Sequence, residues 1–147
     1  MTSPKYPTKE EVLASLYEPS REEMDAVKQW KIRAYQKRWK NLKKPPRLLA
    51  LMELGDALCL AASLDKERWP GYLIGKKWAY LPETIEILMD RDNPSIISFL
   101  HELGHFLYGP SELRAQSFAV SIFKACFPKE YARLEWDGHM LKTKKVS

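Results

Sequence analysis

His101-Glu102-Leu103-Gly104-His105 lies within a segment that has the periodicity of an amphipathic helix. Apolar residues recur three and four positions apart along this segment, at Ile96, Phe99, Leu100, Leu103 and Phe106. We expect Asn93 to cap the helix and Pro94 to occupy its first position, where the missing N–H costs nothing. Because the two histidines are four residues apart, both imidazoles leave a different face of the helix, one turn apart.

This pair of imidazoles predicts a metal site. Two nitrogen ligands one helical turn apart suit a single zinc ion, and Glu102 stands beside them as a base for the water that the metal activates. The chain contains three histidines, and two of them fall in this pentapeptide. The alternative is a helix that carries two solvated histidines, and the carboxylate in the required position makes that interpretation the weaker one.

A third ligand is needed, because a catalytic zinc site usually has three protein ligands and a fourth position for water. Glu112 is our candidate, since the Gly109-Pro110 turn can reverse the chain and place it in the first turn of the next helix, where the helix dipole favours a carboxylate. Ala115 and Ala119 share its face, and their small side chains would let the two helices lie close together. His139 is the rival ligand, and an ordinary helix-start role for Glu112 is the remaining alternative.

The motif and the helix after it resemble the ImmA/IrrE-type zinc metallopeptidase domain, whose members carry HELGH and then a Glu-x-x-Ala-x-x-Phe-Ala helix. The matching residues here are His101, Glu102, Leu103, Gly104, His105, Glu112, Ala115, Phe118 and Ala119. The resemblance covers about residues 72–128. It implies zinc bound by His101, His105 and Glu112, with Glu102 as the general base. It also implies peptide-bond cleavage in a protein substrate, such as a transcriptional repressor.

Two positions depart from the pattern of that family. The interval between His105 and Glu112 is shorter than the family usually shows, and Gly109 stands where a histidine is often found. A short interval is also typical of metzincins, in which a glycine turn separates the motif from the third ligand. Their spacing is one residue shorter and ends in His or Asp, so the metzincin interpretation comes second.

The rest of the chain predicts one α+β domain of the zincin-like type, with helices packed on a small antiparallel sheet. Residues 1–19 form an N-terminal arm with a short helix, residues 20–130 form the metallopeptidase domain, and residues 131–147 form a basic tail. Capping-box spacings predict helices that begin after Thr8 and Ser20.

The sheet is expected in the first part of a motif region that spans residues 72–128. A two-residue turn at Gly75-Lys76 predicts a hairpin, and a further strand covers Thr84–Met89. A peptide substrate would pair with an exposed edge of that last strand. Tyr108 and Tyr131 are candidate oxyanion donors.

The net charge of +5 is unevenly distributed, because no acidic residue occurs between Val27 and Met52. We expect a long basic helix over residues 20–44, ended by Pro45-Pro46. Its cations interleave with aromatic residues, which favours contact with nucleic acid or an acidic protein. The residues proposed for that contact are Lys37, Arg38, Lys40 and Lys44.

This basic helix supports a second hypothesis of a different class, a zincin-scaffold binding protein with a structural metal or none. Alternatively, its aromatic residues pack on the core and its cations keep the helix solvated. We expect the core role for at least one of Trp30 and Trp39, because a long helix needs an apolar face to stay docked.

The composition of this chain of 147 residues indicates in which cellular compartment it works. It has no run of 18 apolar residues, and the first residues lack the apolar core of a signal peptide, so neither a membrane span nor secretion is expected. Cys59 and Cys126 fall in apolar helical contexts that favour free thiols over a disulfide. We therefore expect a cytoplasmic protein.

Overall fold

The computed structural model describes residues 6–35, 43–136 and 141–143. The helices are α1 (Lys9–Ser15), α2 (Arg21–Trp30), α3 (Lys44–Ala61), α4 (Ile96–Tyr108), α5 (Glu112–Cys126) and α6 (Pro128–Tyr131). The strands are β1 (Gly71–Gly75), β2 (Ala79–Leu81), β3 (Glu86–Asp90), β4 (Leu134–Trp136) and β5 (Leu141–Thr143). The predicted α+β class is confirmed.

Both predicted capping boxes are present at the starts of α1 and α2. The side chains of Thr8 and Ser20 accept hydrogen bonds from the third helical N–H groups, and the carboxylates of Glu11 and Glu23 accept from the cap N–H groups. These reciprocal bonds satisfy N–H groups that a helix start otherwise leaves unpaired.

The predicted long basic helix differs from the structure at its end. After α2 the chain makes a π-helical turn over Lys31–Tyr35, and residues 36–42 lie outside the described part of the chain. Pro45-Pro46 does not end a helix but stands in the first turn of α3. Proline is tolerated there because the first helical N–H groups have no partner within the helix.

Trp30 belongs to the core, as we expected of at least one of the two tryptophans. Its side chain is fully buried between α2 and α3, and its indole N–H donates to the Ala50 carbonyl at 2.7 Å. Leu51, Leu54 and Leu58 of α3 belong to the same buried cluster. The aromatic residue of α2 therefore serves packing rather than base stacking.

The sheet is mixed, not antiparallel as predicted. Strand β1 pairs with β3 in parallel, with Tyr72 opposite Ile87, whereas β2 pairs with β3 antiparallel, with Tyr80 opposite Ile87. No hairpin therefore forms at Gly75-Lys76, because β1 and β2 lie on opposite sides of β3. The strand predicted over Thr84–Met89 begins at Glu86 and is central, so it offers no free edge.

Helix α4 follows the predicted register but begins later. Ser95, not Asn93, caps it by accepting a hydrogen bond from the Ser98 N–H, and Pro94 stays outside the helix. The apolar residues Phe99, Leu100 and Leu103 are fully buried. The backbone turns at Gly109, whose φ of 93° suits glycine.

Helices α4 and α5 cross at close range. A Cβ atom on Gly104 would lie 2.9 Å from the Cα atom and from the carbonyl oxygen of Ala115, so only glycine fits at this crossing. The prediction that a small residue at position 115 allows close approach of the two helices is confirmed. The crossing brings the start of α5 beside the histidines of α4.

The N-terminal segment packs on α5 through two α5 hydroxyl groups. Ser117 Oγ donates to the Ser15 carbonyl at 2.8 Å, and the Tyr17 N–H donates to Ser121 Oγ at 3.1 Å.

In the segment predicted as a basic tail, β4 and β5 pair antiparallel. Within the described ranges, no helix has both the length and the apolar character that crossing a bilayer requires.

Candidate metal centre

A cleft of ≈ 950 Å³ lies beside α4. Two groups of residues line it. We call the first the helical wall, which consists of His101, Glu102, His105 and Glu112. We call the second the strand wall, which consists of Trp78, Ala79, Tyr80 and Pro82 on and beside β2. Tyr6 from the N-terminal arm and Phe106 also line the cleft.

The two histidines of α4 project toward the same point. Their ring centroids are 4.8 Å apart, as expected for residues one turn apart on a helix. His101 is buried, with 4% of its surface exposed, because α5 covers this side of α4, and His105 is partly buried. The potential ligand atoms of His101, Glu102 and His105 lie within 4.8 Å of one another.

The structure places Glu112, the predicted third ligand, directly between the two imidazoles. Its Oε2 atom lies 3.0 Å from His101 Nε2, and its Oε1 atom lies 3.0 Å from His105 Nε2. Glu112 is the first residue of α5, whose cap is the Ser111 side chain. The short interval from His105 to Glu112 is long enough for Glu112 to reach both histidines. The chain reverses direction at Gly109, directly after α4, so α5 begins beside the end of α4.

The Nδ1 atoms of both histidines, which point away from Glu112, lie close to oxygen atoms. His105 Nδ1 lies 3.0 Å from the carbonyl oxygen of Gly109, and His101 Nδ1 lies 2.7 Å from Oε1 of the buried Gln116. A backbone carbonyl can only accept, so Nδ1 of His105 carries a proton. In the neutral imidazole, Nε2 then has a lone pair, which points at a carboxylate.

This donor set fits a metal ion. Two imidazole nitrogens and a carboxylate are the ligand types of catalytic zinc sites, and carbonyl or side-chain acceptors behind ligating histidines are typical of them. A lone pair on Nε2 of His105 and the Glu112 carboxylate are both acceptors, so stable contact between them needs a proton or a cation. His101, His105 and Glu112 are therefore able to hold zinc.

Electrostatics keep Glu112 in its charged form. Burial raises the pKa of Glu112, but its contacts and charge interactions with His101 and His105 together outweigh burial and lower the pKa to about 2. The same hydrogen bond to Glu112 raises the pKa of His105, against the opposing effect of burial. A carboxylate that stays ionised is ready to bind a cation without losing a proton first.

Glu102 occupies a different environment on the same helix. Burial raises the pKa of Glu102, while the neighbouring histidines and a hydrogen bond from the Tyr80 backbone N–H act in the opposite direction. The result is a carboxyl group with a raised pKa that borders the cleft. A general base needs such a pKa, closer to neutrality than that of a free carboxylate.

Comparison of the chain with protein-family models, with curated proteins and with solved structures finds no match. The resemblance to the ImmA/IrrE type therefore rests on the motif residues alone.

None of the other predicted site residues that the structure describes lines the cleft. Lys37, Arg38, Lys40 and His139 lie outside the described residues, and Lys44 is exposed at the first position of α3. Tyr108 and Tyr131 do not line the cleft, whereas Tyr80 does. Tyr108 instead packs against Phe118.

Sequence reasoning missed Gln116 and the strand wall. Gln116 follows Glu112 by four residues, so the helical period placed it on the same face, and its polar side chain among apolar neighbours was the available signal. Tyr80 had no comparable signal, because its position at the cleft depends on how β2 pairs with β3.

Proposed function

We propose that this protein is a zinc-dependent peptidase. The observation that carries the proposal is the convergence of His101 Nε2 and His105 Nε2 on the two carboxylate oxygens of Glu112, at 3.0 Å each. These three residues would hold the metal. Zinc in such a site lowers the pKa of water and polarises a carbonyl group. The resemblance to the ImmA/IrrE-type domain adds the same assignment from the sequence.

Glu102 would act as the general base in this proposal. Its carboxylate borders the cleft, where it would take a proton from the attacking water and return it to the leaving amine. The Tyr80 backbone interacts with this carboxylate and lowers its pKa, so the base borders the strand wall as well as the metal ligands.

The strand wall would bind the substrate backbone. Strand β2 is an edge of the sheet, because only β3 pairs with it, and its residues Ala79 and Tyr80 line the cleft. An extended peptide could add to that edge as a further strand. Trp78, Tyr80 and Phe106 would then contact its side chains, which favours a peptide with large apolar residues. The family resemblance points to a regulatory DNA-binding protein as the substrate.

Metal content and hydrolysis of quenched fluorescent peptides test this proposal. We expect about one zinc per chain in the wild type, because both imidazoles contact the same Glu112 carboxylate and would share one ion. Glu112→Ala and His101→Ala should lose zinc, whereas Glu102→Gln should keep zinc and lose hydrolysis. Equally low zinc in the wild type and in His101→Ala would refute the metal site. Equal hydrolysis by the wild type and Glu102→Gln would refute the assigned base.

A further inference from the structure

Helix α5 supplies the partners of both ring nitrogens of His101. Glu112 Oε2 lies 3.0 Å from Nε2, and Gln116 Oε1 lies 2.7 Å from Nδ1. The two α5 residues are four apart and so stand one turn apart on the same face. We propose that Gln116 is a positioning residue that fixes the tautomer and the ring orientation of His101. This inference rests on the proposed metal site, because a ligating His101 is what such positioning would serve.

The chemistry of the contact follows from the atoms involved. The amide oxygen of Gln116 accepts a hydrogen bond, so Nδ1 of His101 carries the proton and Nε2 keeps its lone pair. Nε2 is the nitrogen that faces Glu112, where the metal ligands converge. Gln116 is 1% exposed and His101 is 4% exposed, so water has little access to replace the amide as acceptor.

The amide nitrogen of Gln116 indicates that packing alone does not explain a glutamine at this position. Within the described chain, its Nε2 atom is buried without a hydrogen-bond partner. A buried donor without a partner lowers stability, so an apolar side chain of similar shape would suit the fold at least as well. The amide at this position is explained by its bond to His101.

His105 provides an internal comparison. Its Nδ1 atom faces the backbone carbonyl of Gly109 at 3.0 Å, four residues along its own chain. This acceptor comes with the turn and needs no particular side chain. Replacement of Gln116 should therefore change His101 and leave His105 unchanged.

The test uses nitrogen-15 NMR of the histidine side chains and zinc titration in three proteins: the wild type, Gln116→Met and Gln116→Glu. In zinc-free wild type, we expect a proton on Nδ1 of His101 that exchanges slowly with water. Gln116→Met removes the acceptor, so exchange at His101 should become fast, while His105 keeps its wild-type behaviour. Zinc affinity should fall roughly 10–100-fold, the usual effect of losing a residue behind a metal ligand.

Gln116→Glu restores an acceptor and should return both the slow exchange and the zinc affinity to near wild-type values. The inference is overturned if Nδ1 of His101 carries no proton in the wild type, which is the outcome that the opposite amide orientation predicts. It is also overturned if Gln116→Met leaves exchange and affinity unchanged. If Gln116→Met does not fold, the Gln116→Glu variant alone decides. The inference is then overturned if the proton of His101 lies on Nε2 in that variant. Absence of zinc binding in the wild type would refute the proposed function, whereas the zinc-free NMR result would still decide the role of Gln116.

Discussion

The helical wall and the strand wall of the cleft are built in opposite ways. The helical wall lies at the close crossing of α4 and α5, where Gly104 meets the Ala115 backbone and His101 is almost fully buried. The strand wall is the outer edge of a three-residue strand, and its residues are exposed or half-buried. One wall is supported by a closely packed helix crossing, and the other is open along one edge.

Under the proposed function, this difference separates two tasks that a metallopeptidase must combine. Metal ligands need fixed positions, which a tight helix crossing provides. A substrate strand needs free backbone groups and accessible apolar side chains, which an edge strand provides. Substitutions of the three proposed ligands in the helical wall, or of the crossing that positions them, should therefore change zinc binding. Substitutions in the strand wall should change catalysis with zinc retained.

Gly104→Ala should have the largest effect, because the new Cβ atom would overlap the Ala115 backbone and push α5 away from α4. We expect the free energy of unfolding to fall by about 1–3 kcal/mol, the usual cost of overpacking. Zinc affinity should fall roughly 10–100-fold as Glu112 shifts. Thermal unfolding and zinc titration measure both effects.

Gly71→Ala is the matched control for this substitution. A Cβ at Gly71 would meet the flexible side chain of Glu86 at 3.3 Å, away from the crossing. It should leave zinc affinity unchanged. If Gly104→Ala binds zinc as tightly as Gly71→Ala does, the close crossing is not what positions Glu112.

Tyr80→Ala tests the strand wall. The ring lines the cleft and packs edge-on against Phe106, with 6.1 Å between ring centroids. Its loss should lower kcat/KM for a peptide with a large apolar residue roughly tenfold, the scale of a lost apolar contact in a substrate pocket. Zinc content should stay at the wild-type level. A parallel loss of zinc and activity would show that the two walls are not separable.

The zinc-free protein should show a pH dependence that belongs to the helical wall. The pKa of Glu112 falls from 4.5 to about 2, so its stabilising contribution is present above pH 4.5 and is lost as the pH falls toward 2. The pKa of His105 is raised above 6.5, so its contribution is complete below pH 6.5 and is lost as the pH rises through the raised value.

The difference in melting temperature between zinc-free wild type and Glu112→Gln should therefore be largest between pH 4.5 and 6.5. Its size will be moderate, because solvent screens a partly exposed carboxylate. Thermal scans across this range measure it. A difference that is constant with pH would mean that the contacts of Glu112 with the histidines do not contribute to folding.

The helical wall could be predicted from the sequence and the strand wall could not, for a physical reason. His101, Glu102 and His105 are fixed by the period of one helix, and Glu112 follows after a short turn. Their positions therefore depend mainly on local geometry. Gln116 was visible only as a polar residue on the same face.

The sheet depends on partners that are distant in sequence. The turn signal at Gly75-Lys76 is local, but β1 gains its hydrogen bonds from β3, across a segment that contains β2. Ile85 also misled the prediction. It continues the alternation of Ile87 and Met89, yet it lies in the turn before β3 and is half exposed. Strand pairing, not alternation, decides where such a strand begins.

The smallest expected effect concerns that turn, because Ile85 has a φ of 56°. A β-branched residue in this conformation is strained, whereas asparagine adopts it more readily. Ile85→Asn should therefore raise the free energy of unfolding by about 1 kcal/mol, with zinc content unchanged. Thermal unfolding measures the gain. Ile74→Asn is the matched control, since Ile74 is 54% exposed and lies in the extended strand β1. The control should give no gain. Equal destabilisation by both substitutions would show that the Ile85 side chain contributes packing that outweighs its strained backbone.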